Sequence, residues 1–171
     1  MKLKYIIVFV FGILFTNQIL AQEHANILLE KALVKAQKEH KNVFIKYGAS
    51  WCTWCKKMDK QMKSDACKDL FDKEYVTVNL TVKESKNNKH LENPGANELL
   101  KKQNGDTAGL PFWVILDANG KLIEKSFNSK GENLGCPATR EEIHEFISKL
   151  KNTSNLSQAE LDAITLEFKR R

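Results

Sequence analysis

Trp51-Cys52-Thr53-Trp54-Cys55-Lys56-Lys57-Met58 constrains this chain more than any other stretch. Two cysteines separated by two residues can close on each other with little strain. They can also stay reduced, with the first thiol at the start of a helix. There the partial positive charge and free N–H groups of a helix N-terminus favour thiolate over thiol. The thiolate is the attacking species in thiol–disulfide exchange. The preceding residues suit that placement. Asn42-Val43-Phe44-Ile45-Lys46-Tyr47 is β-prone, and Gly48-Ala49-Ser50 is a turn. A strand, a tight turn and a helix opened by Cys-x-x-Cys make a redox context.

The same spacing is half of a zinc site, which needs two further ligands. Cys67 and Cys136 stand alone, and His24, His40, His90 and His144 are scattered without ligand spacing. A copper chaperone would want a Met or His partner at ligand spacing, and the sequence offers none. The residues favour redox chemistry over metal.

Residues 1–21 read as a signal peptide. Lys2 and Lys4 open it, Tyr5 to Phe15 is apolar, and Ala21 precedes Gln22. The apolar run is short of the roughly 20 residues that a membrane span needs; an uncleaved anchor is the alternative. Export and Cys-x-x-Cys reinforce each other, because disulfides persist and are exchanged outside the cytosol. The net charge of +6 includes those two leader lysines, and the remaining charges are of mixed sign. No Arg-rich stripe speaks for nucleic acid. A hydrophobic fraction of 42% over 171 residues supports one domain with an ordinary core.

Glu23 to Lys38 reads as an amphipathic helix, with Ile27, Leu28, Ala32, Val34 and Ala36 apolar. Val43 to Tyr47 suits a central strand. A helix runs from Cys55 through Met62, breaks at Ser64-Asp65 and restarts over Ala66 to Phe71. Tyr75 to Val82 is a second strand, Lys83 to Gly95 a polar loop, and Ala96 to Gln103 a short helix. A strand entered through Pro111 follows, since proline is best placed at a strand's beginning. Asp117-Ala118-Asn119-Gly120 is a hairpin turn, and Lys121 to Phe127 the partner strand. Capping boxes at Thr139 to Glu142 and Ser157 to Glu160 open two last helices. The second, with Leu161, Ile164 and Phe168 at helical spacing, either packs on the domain's own surface or meets a partner. The chain thus divides into 1–21, a domain over 22–151 and a helical extension over 152–171.

From residue 23 to 151 this order resembles the thioredoxin fold: an α/β architecture with a central mixed β-sheet flanked by helices and a cis-proline loop. Here a C-terminal helix is added. Trp51-Cys52-x-x-Cys55-Lys56, the Leu110-Pro111 strand entry and the Asp117-Ala118-Asn119-Gly120 hairpin carry the resemblance. The motif looks most like the exported group related to thiol:disulfide interchange electron donors. The resemblance implies that Cys52 is an exposed nucleophile and Cys55 a buried resolving thiol. It also implies that Pro111 is a cis-proline facing the pair, and that Trp51, Trp54, Leu110 and Pro111 border the substrate. By the same resemblance the reaction would need no cofactor beyond the dithiol and no metal. The partners it implies are protein disulfides and a membrane electron donor, since an exported reductase must be recharged.

Two departures from the family pattern stand out. Lys46 occupies the position six residues before the first cysteine, where family members often carry a buried acid. An ammonium there would lower thiol pKa values and stabilise the reduced form, unless it snorkels to solvent. Thr53-Trp54 replaces the Gly-Pro common between the cysteines. An even cysteine count invites a Cys67–Cys136 bridge. Against it, Cys67 would lie about 18 Å beyond Cys55 along a continuous helix at 1.5 Å per residue, whereas bridging needs Cα atoms within roughly 7 Å. The preferred reading makes Cys67 a buried structural thiol and Cys136 an accessory free thiol near the groove. The expected function is an exported thiol–disulfide oxidoreductase, more a reductase than an oxidant. The alternative is a thioredoxin-fold adaptor or isomerase-chaperone module whose cysteine pair is a staple.

Overall fold

The computed structural model describes residues 22–170; the leader expected over 1–21 lies outside them. The first helix, α1 (Ala25–Glu39), ends where His40 turns left-handed at φ 55°. Strand β1 (Asn42–Gly48) follows, then α2 (Thr53–Met62), α3 (Lys68–Glu74) and β2 (Tyr75–Thr81). A 3₁₀ turn at Lys86–Leu91 interrupts the segment expected as plain loop. Then come α4 (Ala96–Lys102), β3 (Phe112–Leu116), β4 (Leu122–Lys125), α5 (Arg140–Asn152) and α6 (Gln158–Lys169). Between α2 and α3 the N–H groups of Cys67 and Lys68 both bond Ser64 C=O. That tight turn delays the helical restart to Lys68, two residues later than the sequence suggested.

The four strands form one mixed sheet in the order β2-β1-β3-β4. β1 runs parallel to β2 and antiparallel to β3, and β3 pairs antiparallel with β4. β1 is therefore central and, as its three apolar residues in succession suggested, covered on both faces. Side chains alternate along a strand. Val43, Ile45 and Tyr47 enter the core shared with α1 and α4, and Phe44 enters the core shared with α2, α3, α5 and α6. Lys46 is in phase with Phe44, so it is aimed at the α2 side. In the larger core Phe44 stacks on Trp113 with centroids 5.4 Å apart, and Trp113 meets Phe146 edge-on at 5.3 Å.

The final helix belongs to this core. Leu161, Ile164 and Phe168 are buried in it, and Phe168 lies 5.0 Å from Phe146, ring centre to ring centre. Each such fully buried side chain contributes about 1.5–3 kcal/mol. Both expected capping boxes are formed, at Thr139/Glu142 and Ser157/Glu160.

Candidate functional site

The turn Gly48–Trp51 delivers the chain from the end of β1 to the first turn of α2. Cys52 is the N-cap of α2, with its N–H bonded to Ala49 C=O at 3.0 Å. Cys52 and Cys55 form a disulfide with Cα atoms 5.3 Å apart. Cys52 Sγ also accepts the Cys55 backbone N–H at 3.1 Å. The helix thus aims one of its unsatisfied donors at the first sulfur, where a thiolate would gain most from it.

The exposed nucleophile expected from the resemblance is not exposed in the disulfide form. Cys52 is no more exposed than Cys55: each retains 4% of its surface. In the disulfide the two sulfurs cover each other, and Ala49 and Leu110 pack against them. The Leu110–Pro111 peptide bond is cis, and Pro111 itself is buried. Asn133 Nδ2 donates to both Gly109 C=O (2.8 Å) and Pro111 C=O (3.0 Å), fixing the loop around Leu110. Trp51 and Trp54 are more than half exposed beside the buried pair. Trp51 Nε1 donates to Lys83 C=O at 3.0 Å, and Lys57 Nζ lies 5.0 Å from the centre of the Trp54 ring.

Lys46 does not snorkel. It is 3% exposed, and its Nζ lies 2.5 Å from Asp59 Oδ1. Burial pushes its pKa down, and the hydrogen bond and charge of Asp59 pull it back up. Lys46 and Asp59 line a cavity of about 270 Å³ together with Cys55, Gly48, Ser50 and Glu84. A Cβ at Gly48 would stand 3.3 Å from Cys55 Sγ, so any side chain there would crowd the second cysteine. Asp59 went unnoticed in the sequence. Its signal was the spacing: it lies four residues after Cys55, on the same helical face.

Cys136 is buried, and its thiol donates to Gln61 Oε1 at 3.4 Å. Burial pushes its pKa up to about 11, against the pull of Lys57 and Lys46. Cys136 is a free thiol, as expected, but burial works against the thiolate character that an accessory nucleophile needs. Cys67 is a buried free thiol whose pKa burial also raises, and no Cys67–Cys136 bridge exists. Among the described residues no cluster of His, Cys, Asp and Glu could hold a metal ion.

The thioredoxin-like family profile matches residues 25–118. The chain belongs to the thioredoxin-like family. That match takes in α1 through the Cys-x-x-Cys helix and the cis-proline to the hairpin turn, the elements that build this site. No curated protein matches the sequence. Among solved structures, a disulphide isomerase from Xylella fastidiosa Temecula1 is 23% identical, with a TM-score of 0.51 over 84% of this chain and 88% of that one. A protein described as the DsbH oxidoreductase is 24% identical over 83% and 92%, with a TM-score of 0.46. The oxidised C-terminal domain of Neisseria meningitidis DsbD is 23% identical over 61% and 84%, with a TM-score of 0.41. At such identities the likeness is one of fold.

Proposed function

We propose that this chain is an exported thiol–disulfide oxidoreductase that acts on protein disulfides through Cys52 and Cys55, working as a reductase. The observation that carries the reading is the Cys52 sulfur held at the N-cap of α2 by the Cys55 N–H, with the cis Leu110–Pro111 bond's loop packed against it. In the dithiol form, Cys52 thiolate attacks one sulfur of a substrate disulfide. A mixed disulfide forms, and the other substrate sulfur leaves as a thiolate that takes a proton from water. Cys55 then loses its proton and attacks Cys52 Sγ. The second substrate thiolate departs, leaving the Cys52–Cys55 disulfide seen here. Two electrons pass to the substrate, and a membrane partner would restore them.

Lys46 and Asp59 are assigned to the second half of that cycle. They share a cavity with Cys55, so a positive charge and a carboxylate both stand by when its proton leaves. Trp51, Trp54, Leu110 and Pro111 form the rim that a substrate strand would meet. The export part of the proposal rests on the leader; among the described residues no helix is long and apolar enough to cross a membrane.

A second reading, a binding module with a closed staple, has one observation on its side: both cysteines are buried in the oxidised form. Insulin reduction by dithiothreitol separates the two. The wild type should accelerate it and Cys52→Ser should not; equal rates would favour the binding module. A reduction potential near −270 mV would mark a reductase, and one near −120 mV an oxidant, each value approximate.

A further inference from the structure

The segment leaving β2 reaches back over the site in a way the exchange chemistry does not by itself require. Glu84 is 4% exposed although it carries a carboxylate. Both of its oxygens are spent on one residue of the active-site turn: Oε1 accepts the Ser50 N–H, and Oε2 accepts the Ser50 hydroxyl at 2.8 Å. Its neighbour Lys83 faces two ways. Its carbonyl accepts Trp51 Nε1–H at 3.0 Å, and its ammonium donates to Ala108 C=O at 2.8 Å. Ala108 lies two residues before Leu110. Ser50–Trp51 leads directly into Cys52, and Ala108–Leu110 leads directly into cis-Pro111. One dipeptide therefore holds both walls of the cleft above the disulfide.

The dipeptide is itself fixed from behind. Lys83 adopts φ 53°, an unusual value for a residue with a side chain. Glu84 N–H donates to Glu92 Oε1 at 2.7 Å, and Asn97 Nδ2 donates to Glu92 Oε2 at 3.1 Å. The 3₁₀ segment thereby braces the strap against α4.

We propose that Lys83 and Glu84 are positioning residues for substrate disulfides, a strap that sets the spacing between the Trp51 wall and the Leu110 wall. This rests on the oxidoreductase reading. Neither residue is hydrogen-bonded to a sulfur, and Lys83, unlike Glu84, lies outside the cavity that Cys55 lines, so its variant separates the seating of a substrate strand from the sulfur chemistry. Lys83→Met keeps the aliphatic stem and removes only the hold on Ala108. Glu84→Gln keeps an acceptor for the Ser50 N–H, and the Ser50 hydroxyl can rotate to accept from the new amide. Glu84→Ala removes both bonds.

The test measures steady-state reduction of a disulfide peptide together with the Cys52/Cys55 potential against glutathione. Lys83→Met should raise KM about five-fold with kcat and potential unchanged. Glu84→Ala should raise KM further and increase acrylamide quenching of Trp51 in a Trp54→Phe background, and Glu84→Gln should restore both. An unchanged KM in folded Lys83→Met overturns the strap, as does a Glu84→Gln variant no better than Glu84→Ala. Failure of the oxidoreductase reading would look different: the wild type itself would be no faster than Cys52→Ser, whatever the quenching of Trp51 did.

Discussion

Lys46 and Asp59 form an ion pair in the cavity that Cys55 also lines, the ammonium almost wholly buried and the carboxylate about one-third exposed. The pair puts a cation on the strand, at the position where the resemblance led one to expect an acid, and the acid on the helix. Breaking a buried pair from one side costs more than the pair gains, because the survivor keeps its charge without a partner. Asp59→Asn would strand the buried ammonium. It should lose about 2–4 kcal/mol in urea unfolding, whereas Lys46→Met, which leaves a carboxylate with access to water, should lose about 1 kcal/mol. Equal losses would mean that the two side chains do not depend on each other.

The same pair bears on the thiols. Lys46→Asp exchanges a cation for a second carboxylate beside Asp59, and a carboxylate disfavours a nearby thiolate. Thiolate absorbance of Cys55, followed in a Cys52→Ser background, should show its titration moved to higher pH. An unmoved titration curve would take Lys46 out of the mechanism.

Cys136 supplies a dependence on alkaline pH. In the folded chain its thiol holds its proton up to about 11; unfolded, it titrates near about 8.5. Between those values the native state binds the extra proton, so stability falls as pH rises. The contribution is complete below the unfolded value and is lost through the folded one. Denaturant midpoints measured from pH 8 to 11 should fall less steeply for Cys136→Ser than for the wild type. In the native protein at pH 8, Cys136 should also resist iodoacetamide while reduced Cys52 reacts.

Phe168 tests whether the last helix is integral. It is buried against Phe146 within the larger core. Truncation of a buried aromatic to alanine typically costs about 3–5 kcal/mol. Phe168→Ala should therefore lower the urea midpoint sharply, and Leu166→Ala, on the exposed side of the same helix, should leave it within about 0.5 kcal/mol. Similar small losses from both would reduce α6 to a surface appendage.

Much of this was legible in the chain because the signals are local. Val43, Phe44 and Ile45 announced a central strand, Ser157 and Glu160 their helix start, and Cys52 its place at a helix tip. The Leu161, Ile164 and Phe168 stripe marked a helix with one apolar face, to be covered either by this domain or by a partner. What escaped depends on elements meeting across distance. The fate of Lys46 was undecidable until α2 brought Asp59 to the α2-side face of β1. Glu84 read as one polar residue among many in the 83–95 segment, and only the return of that segment over Ser50 gives it a partner. Cys136 read as a free thiol near the groove; it does lie free in the loop before α5, but Gln61 of α2 takes its hydrogen bond.

Gln61 joins two places that have no contact in sequence. Its amide oxygen receives the Cys136 thiol, and its amide nitrogen donates to the carbonyls of Glu167 and Phe168 at 3.1 and 3.3 Å. Adding oxygen atoms to that sulfur would force the amide to turn or withdraw, and the carbonyls of Glu167 and Phe168 near the end of α6 would lose their donor. Damage to one loop sulfur would then first be felt as fraying in the last turn of α6.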